Sequence, residues 1–269
     1  MPLLKVLALS KYDRQGASSR HRILNYIPYL QQRGVAVTSL PLLSDAYVQR
    51  RLRGGRTDLF DIAGSFARRL VALCRSRRFD LLWIEGELFP RLPATAERLL
   101  SLGGLPYVVD LDDAIFHTYD QHPRFLVRYL LGRKVDVVLR RAALVIAGNS
   151  YLADRARSAG AAHVVVIPTR VDERAYPLVD RDATQPLTFG WIGSTATSRY
   201  LATITAELEE LCRTLPAQLR LIGLDQPPFN LSNVVTRPWS EATEAQELAY
   251  CDIGLAPCSM DLGSAANAV

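Results

Sequence analysis

The sequence predicts an α/β protein built on two doubly wound parallel sheets, the second of them incomplete. Three observations carry this. Short apolar runs recur along the chain, among them Lys5–Ser10, Asp80–Ile84, Pro106–Leu111, Leu144–Ala147 and Leu187–Ile192. Segments with a helical apolar period separate these runs, and such alternation indicates parallel strands joined by helical crossovers. Between Asp172 and Pro186 the apolar period lapses, Pro177 and Pro186 appear among mixed charges, and the stretch reads as a linker. The expected organisation is therefore a first domain over 1–172, a linker over 173–186 and a second domain over 187–269, which suits a 269-residue chain.

Taken in order, Lys5–Ser10 is a short buried strand, followed by the loop Lys11–Ala17 and a helix over Ser18–Arg33. Ser18 or Ser19 is the expected N-cap. Ile23, Tyr26, Ile27 and Leu30 share one helical face, and Gly34 stops the helix. Strand two is Val35–Leu40; Ser44–Thr57 is charged and only loosely periodic, and takes no assignment. A helix over Leu59–Arg77, a strand over Asp80–Ile84, a helix over Pro93–Leu102 and a strand over Pro106–Leu111 follow. The next helix spans Arg124–Arg141, with Phe125, Leu126, Tyr129, Leu130, Val137 and Val138 expected inward and Arg128, Arg133, Lys134, Arg140 and Arg141 outward. Strand Leu144–Ala147, helix Tyr151–Ser158 and strand His163–Ile167 close the first domain. The second offers strand Leu187–Ile192, helix Arg199–Leu215, strands Gln218–Gly223 and Asn233–Arg237, a short helix and strand Ile253–Pro257. It then ends in Gly263–Val269, small residues without a period, so part of its ligand wall is expected to be missing.

Hydrophobic residues make up 49% of the chain and charged residues 22%, an ordinary soluble composition. No apolar run is long enough to span a bilayer, and the apolar start is short and interrupted by Lys5. The four cysteines form no CxxC pair and suit a reducing compartment, so the expected location is the cytoplasm. The net charge of +5 is uneven. Residues 1–172 hold 26 Lys and Arg against 15 Asp and Glu, a net +11; residues 173–269 carry a net −6. Arg50–Arg56, Arg68–Arg78 and Arg124–Arg141 concentrate the positive charge. Such faces are either simply solvated or meet an anionic membrane surface, here the inner face; no nucleic-acid motif accompanies them.

Candidate chemistry gathers where strands end, because open parallel sheets bind ligands there. Gly16, Ser18, Ser19 and Arg20 lie between the first strand and a helix N-terminus, a place for a phosphate, carboxylate or hydroxyl, or else an ordinary capped turn. The GxGxxG fingerprint is absent, which argues against a dinucleotide. Glu85 and Glu87 follow the strand at Trp83, and Glu85, at the tip, is the better ligand candidate. Asp110, Asp112 and Asp113 crowd three carboxylates into four residues, which needs a ligand, an arginine or a helix dipole to offset repulsion. His117 follows closely and is more often structural in such a place. In the second domain Gly193 permits close backbone approach. Ser194, Thr195 and Arg199 add donors for a diphosphate, the alternative being a plain turn. Trp239 is a candidate stacking partner for a base.

Taken together, GASSRHRILNYIPYL (Gly16–Leu30), FDLLWIEGELFPRLP (Phe79–Pro93), VVDLDDAIF (Val108–Phe116), AGNSYLADRA (Ala147–Ala156), VIPTRVD (Val166–Asp172) and FGWIGSTATSRYL (Phe189–Leu201) resemble the retaining "group 1", family 4-like glycosyltransferases of the GT-B fold. The order and spacing of these segments make the match. The resemblance implies two facing Rossmann-like domains, the amino domain holding the acceptor and the carboxyl domain a nucleoside-diphosphate sugar. No metal and no cofactor are implied beyond that substrate. By that likeness Gly16, Ser18, Ser19, Arg20 and Glu85 lie on the acceptor side, Asp112 and Asp113 stand beside the transferred sugar as catalytic candidates, and Gly193, Ser194, Thr195 and Arg199 hold the donor. Many members place a His where this chain has Asp110–Asp113. The acceptor class is a hydroxyl on a glycan, a lipid-linked carrier or another molecule. Members continue past this point with a Glu-bearing helix. The tail GSAANAV fits a one-nucleotide shift of a run Trp-Glu-Arg-Gly-Lys-Cys-Gly, so a frameshift product and little turnover are expected. Two other readings remain open: a non-catalytic module docking on an anionic membrane face or partner, and a nucleotide-sugar epimerase-like enzyme.

Overall fold

The computed structural model describes residues 4–52, 55, 58–176, 179, 186–195, 197–231 and 233–257, and these fall into two compact units, the first of residues 4–49 and 58–170, the second of residues 50–52, 55 and those from 171 on. The expected tail at 263–269 and, of the expected linker, residues 177, 178 and 180–185 lie outside the described residues.

Up to Val166 the chain runs β1 (Leu4–Leu9), α1 (Ala17–Arg22), a 3-10 turn at Leu24–Tyr26, α2 (Ile27–Gln32), β2 (Val35–Ser39), α3 (Asp45–Leu52), α4 (Leu59–Cys74), β3 (Leu81–Glu85), α5 (Thr95–Leu102), β4 (Tyr107–Leu111), α6 (His117–Asp120), α7 (Phe125–Leu131), α8 (Lys134–Arg141), β5 (Leu144–Ala147), α9 (Ser150–Ser158) and β6 (Val164–Val166). The sheet is parallel in the order β2-β1-β3-β4-β5-β6. Alternate residues serve opposite faces, as the two-residue strand period requires. Leu7, Leu9, Leu82, Ile84, Val109 and Val145 join the larger core with Val138, Leu139 and Leu152 of α8 and α9, whereas Val6, Ala8 and Trp83 meet Ile23 on the other side. Each fully buried Leu or Ile contributes roughly 1.5–3 kcal/mol. With both faces covered, the strands read as continuous apolar runs, which made them recognisable.

Three expectations fail locally. The helix expected over Ser18–Arg33 is three pieces: Ile23 leaves the helical region at φ −122°, and Pro28, lacking an N–H, sits in the first turn of a new helix. Gly16, rather than Ser18 or Ser19, precedes α1, with no side-chain cap. The helix expected over Arg124–Arg141 breaks at Gly132, where a Cβ would stand 2.4 Å from the Arg128 carbonyl oxygen. The inward face nevertheless keeps one helical phase through the break, Val127, Leu131, Lys134, Val135, Val138 and Leu139 all turning to the core, and it is the face opposite to the one expected for α7. Phe125, Leu126, Tyr129 and Leu130, expected inward, are 70%, 64%, 75% and 61% exposed, and Lys134, expected outward, is buried. Val138 is buried as expected. The unassigned segment after Ser44 forms α3.

The second unit holds β7 (Leu187–Ile192), a 3-10 segment at Ser198–Ile204, α10 (Thr205–Thr214), β8 (Ala217–Ile222), β9 (Val234–Arg237), α11 (Glu241–Ala249) and β10 (Ile253–Gly254), its parallel sheet ordered β10-β7-β8-β9. The expected helix at Arg199 thus starts as 3-10 and becomes α only at Thr205, and the last strand is two residues long. Phe189, Trp191, Leu219 and Leu221 share one face of this sheet, where Phe189 and Leu219 pack with Leu208, and Trp191 and Leu221 with Leu201.

Candidate functional site

Both sheets reverse their winding beside their first strand, between β1 and β3 in one and between β7 and β10 in the other. Such switch points open a crevice at the carboxyl ends of the strands.

In the first unit that place is built on buried charge. Glu85, the last residue of β3, accepts at Oε2 from the Lys11 backbone N–H (2.9 Å) and from Ser19 Oγ (2.6 Å). Ser19 Oγ in turn accepts from the Tyr12 backbone N–H at 3.0 Å. Burial pushes the Glu85 carboxyl upward, against the Ser19 and Lys11 hydrogen bonds and the Lys11 charge, with Asp112 adding to the push. Gly16 is needed in this loop, since a Cβ there would lie 2.3 Å from Tyr12 Cβ. Ser18 is half-buried, and Arg20 is buried with Nη2 3.2 Å from His21 Nε2.

One strand over, Arg22 Nε donates to Asp110 Oδ1 at 2.8 Å, and its Nη1 donates to the Ile167 carbonyl at 2.6 Å. Both side chains are almost fully buried. Burial pushes Asp110 up to about 6, while the charge and hydrogen bond of Arg22 hold it down and Asp112 and Glu85 push it further up. Asp112 accepts from Thr169 Oγ1 at 2.8 Å, lies 3.9 Å from Arg22 Nε, and backs onto Gly148. Asp113 is exposed at the rim, yet partial desolvation and then Asp112 raise its carboxyl, with Lys11 opposing. The structure thus brings Gly16, Ser19, Glu85, Asp112 and Asp113 to one strand-end region, and leaves Asp113 the most open of its carboxylates. His117 bridges two elements of this edge, Nδ1 lying 2.9 Å from Asp120 Oδ1 and Nε2 2.7 Å from the Tyr151 hydroxyl.

Glu87 belongs elsewhere. It accepts from Tyr119 Oη at 2.7 Å and pairs with the buried Lys134, a structural cluster beneath α8. Arg69, read from the sequence as part of a basic face, is buried as well. It donates to the carbonyls of Ser10, Leu40 (2.9 Å) and Leu88 (3.3 Å), tying three strand ends together. Burial lowers it to about 10, with Glu85 opposing the fall. Sequence reasoning missed Arg22, Arg69 and Thr169. Arg22 was within reach, because it stands three residues after Ser19 and so shares its helical face.

In the second unit the strand ends are bare. Gly223, at φ +99°, has its Cβ position 2.0 Å from the Gly193 carbonyl oxygen, and a Cβ on Gly193 would lie 2.4 Å from the Trp191 ring. No side chain fits at either tip without movement. The Ser194 backbone N–H, expected to await a ligand, donates to Thr197 Oγ1 at 3.0 Å. Thr195 accepts at its carbonyl from Ser198 Oγ at 2.9 Å. Arg199 is exposed and lies over the Tyr200 ring at 4.9 Å. Trp239 borders the glycine pair, with its Cβ 3.6 Å from the Gly223 Cβ position, and donates from Nε1 to Glu244 Oε2 at 2.8 Å; Glu244 also accepts from Tyr176. Among the described residues no group of three or more His, Cys, Asp or Glu could hold a metal ion.

Two parallel Rossmann-like sheets with ligand places at their strand ends define a GT-B-type α/β architecture. A model of the glycosyl transferase 4-like domain matches residues 6–170, more than half of the chain, and the chain belongs to that glycosyltransferase family. Among solved structures, an alpha-glucosyltransferase in complex with UDP and a 13-mer DNA containing a HMU base is similar at TM-score 0.55 and 13% identity, over 93% of this chain and 71% of that one. The glycotransferase of kitacinnamycin is similar at TM-score 0.53 and 16% identity, over 100% of this chain and 84% of that one. UDP-GlcNAc 2-epimerase from Neisseria meningitidis bound to UDP-GlcNAc is similar at 0.53 and 11%, over 93% and 77%. Among curated proteins none matches. At these identities the structural likeness establishes the fold.

Proposed function

We propose that the protein moves a sugar from a nucleoside-diphosphate donor to an acceptor hydroxyl, with residues 1–172 serving the acceptor, 173–186 as linker and 187–269 serving the donor. The observation that carries this within a glycosyltransferase family is the glycine pair at the tips of β7 and β8. Where no Cβ fits, backbone can approach a diphosphate closely. Gly193, Ser194, Thr195 and Arg199 form the donor set: the Ser194 amide exchanges its Thr197 partner for a phosphate oxygen, and Arg199 swings from Tyr200 to the departing diphosphate. Asp113, open and raised, and Asp112, held by Thr169, stand beside the transferred sugar as the catalytic pair. Gly16, Ser18, Ser19, Arg20 and Glu85 line the acceptor side; Ser19 acts by orienting Glu85, because its one proton is given to that carboxylate. The donor sugar itself supplies the chemistry, without a resident cofactor. An acceptor carried on a lipid would bring the protein to a membrane as a peripheral contact from the cytoplasmic side.

A transfer assay with a panel of nucleotide sugars and hydroxyl acceptors, read by mass shift, tests the reading. Sugar on the acceptor together with free nucleoside diphosphate supports it, and donor binding that survives Gly223→Val counts against the glycine pair. The likeness to a 2-epimerase that binds UDP-GlcNAc favours one second reading, epimerisation. It predicts an altered or released sugar with no acceptor product.

A further inference from the structure

Helix α7 turns its apolar stripe away from the core. Val127 packs against the core and Leu131 is buried, anchoring one side. On the other, Phe125, Leu126, Tyr129 and Leu130 recur at helical spacing and are each more than 60% exposed. The Phe125 and Tyr129 rings stack with centroids 6.0 Å apart, so the stripe is one continuous surface. Exposed large side chains in such a contiguous patch mark an interaction face.

The charge around the stripe says what covers it. No acidic residue occurs between Asp120 and Asp136, while Arg124, Arg128 and Arg133 are exposed at its border. Arg128 donates to the carbonyls of His122 (2.6 Å) and Pro123 (2.9 Å) and lies over Phe125 at 5.9 Å, which holds its charge beside the apolar residues. Lys134 is spent internally on Glu87 and takes no part. An apolar stripe with an unopposed cationic border matches the interface of an anionic bilayer, where apolar side chains sink about 5–10 Å below the headgroups and arginines meet their phosphates. A second copy of this chain would instead set arginine against arginine across a two-fold axis.

We propose that α7 is a membrane-docking face: Phe125, Leu126, Tyr129 and Leu130 enter an anionic lipid surface, and Arg124, Arg128 and Arg133 bind its phosphates. This goes beyond glycosyl transfer and stands on separate observations, so either can fail alone. In chain order α7 lies between the β4 strand end that bears Asp112 and Asp113 and helix α8, which returns to the start of β5. Docking would therefore present that carboxyl side of the first sheet to the membrane.

The test is co-sedimentation of the full chain with vesicles of equal phosphatidylglycerol and phosphatidylcholine, against phosphatidylcholine alone. The expected result is binding to the anionic vesicles, weakened by salt as screening shortens. The double variant Arg124→Gln/Arg133→Gln should bind about thirtyfold more weakly, from the attraction each cation loses. Phe125→Ala/Tyr129→Ala should lose at least about tenfold. All these side chains are exposed, so circular dichroism and melting temperature should match the wild type. Equal binding to both vesicle types overturns the proposal, as does unchanged binding by the Phe125/Tyr129 variant. So does a concentration-dependent dimer, seen by sedimentation velocity and abolished by that variant, without vesicle binding.

Discussion

At the carboxyl end of the six-stranded sheet the chain buries charge; at that of the four-stranded sheet it removes side chains. In the first, Arg22–Asp110, Ser19–Glu85 and Arg69 hold the strand ends through side-chain hydrogen bonds. In the second, Gly193 and Gly223 bring two strand tips together through bare backbone. The first arrangement is preorganised and vulnerable to loss of one partner, because a buried ion left alone keeps its desolvation penalty. The second is vulnerable to addition, because an extra methyl group has no place to go.

Breaking the charged end should give the largest effect. Arg22→Met leaves Asp110 buried without its cation and should cost about 3–5 kcal/mol in urea denaturation, whereas Arg22→Met/Asp110→Leu should recover most of that. The pH dependence has a definite sign. Asp110 titrates near 6 in the folded protein against an ordinary 3.8, so its contribution favours the fold below about pH 3.8 and is lost as pH rises through 6. Arg22 limits that loss, since it holds the folded value down. The penalty of Arg22→Met should therefore be larger at pH 8 than at pH 5. A flat difference between those pH values would show that Asp110 is not the group left exposed to its own burial.

The bare end should respond next. Gly223→Ala adds both left-handed strain and a clash with the Gly193 carbonyl, for a loss of about 2–4 kcal/mol together with nucleotide binding. Gly34 separates the two terms: its φ is +82° but nothing lies within 4 Å of its Cβ position, so Gly34→Ala should cost only about 1–2 kcal/mol. If the two variants lose the same amount, close packing of the strand tips plays no part in the second unit.

A smaller effect is expected at Glu97 of α5, buried in the first unit. Its Oε1 accepts from the Leu88 backbone N–H at 3.0 Å, and its Oε2 has no partner among the described residues. Burial raises its carboxyl, so wild-type stability falls as pH rises through the folded value, while glutamine at this position does not titrate. Glu97→Gln should match the wild type in acid and exceed it by about 1 kcal/mol at pH 8, measured by denaturation at both. A variant that is weaker at pH 8 would mean that the ionised carboxylate is a needed partner.

The strands and the order of elements were legible because parallel strands buried on both faces leave unbroken apolar runs, as at Leu81–Glu85 and Leu187–Ile192. Helix phase was less so. Helix α7 is apolar on both faces, Val127 and Leu131 turning inward and Phe125, Leu126, Tyr129 and Leu130 outward, so apolar residues alone did not say which face meets the core. The acidic and glycine positions at strand ends could be read from the sequence, since both are costly unless a tertiary partner or close approach requires them. Their partners could not: Arg22 and Arg69 look like surface arginines until the fold places carboxylates and carbonyls around them.

The helix starts make the smallest and sharpest contrast. Asn149 caps α9, accepting from the Leu152 backbone N–H at 3.0 Å, and Asn149→Ala should cost about 1 kcal/mol. Ser18 was the equivalent expectation for α1, but Gly16 occupies that position without a side-chain bond, so Ser18→Ala should change stability by no more than about 0.5 kcal/mol. Any loss of transfer rate in Ser18→Ala would then report acceptor contact rather than folding. Ser19→Ala should behave differently: it removes one of the Glu85 hydrogen bonds and the partner of the Tyr12 amide, raising the Glu85 carboxyl further. Its pH–rate profile should move to higher pH while that of Ser18→Ala stays in place. Matching profiles would remove Glu85 from the acceptor side.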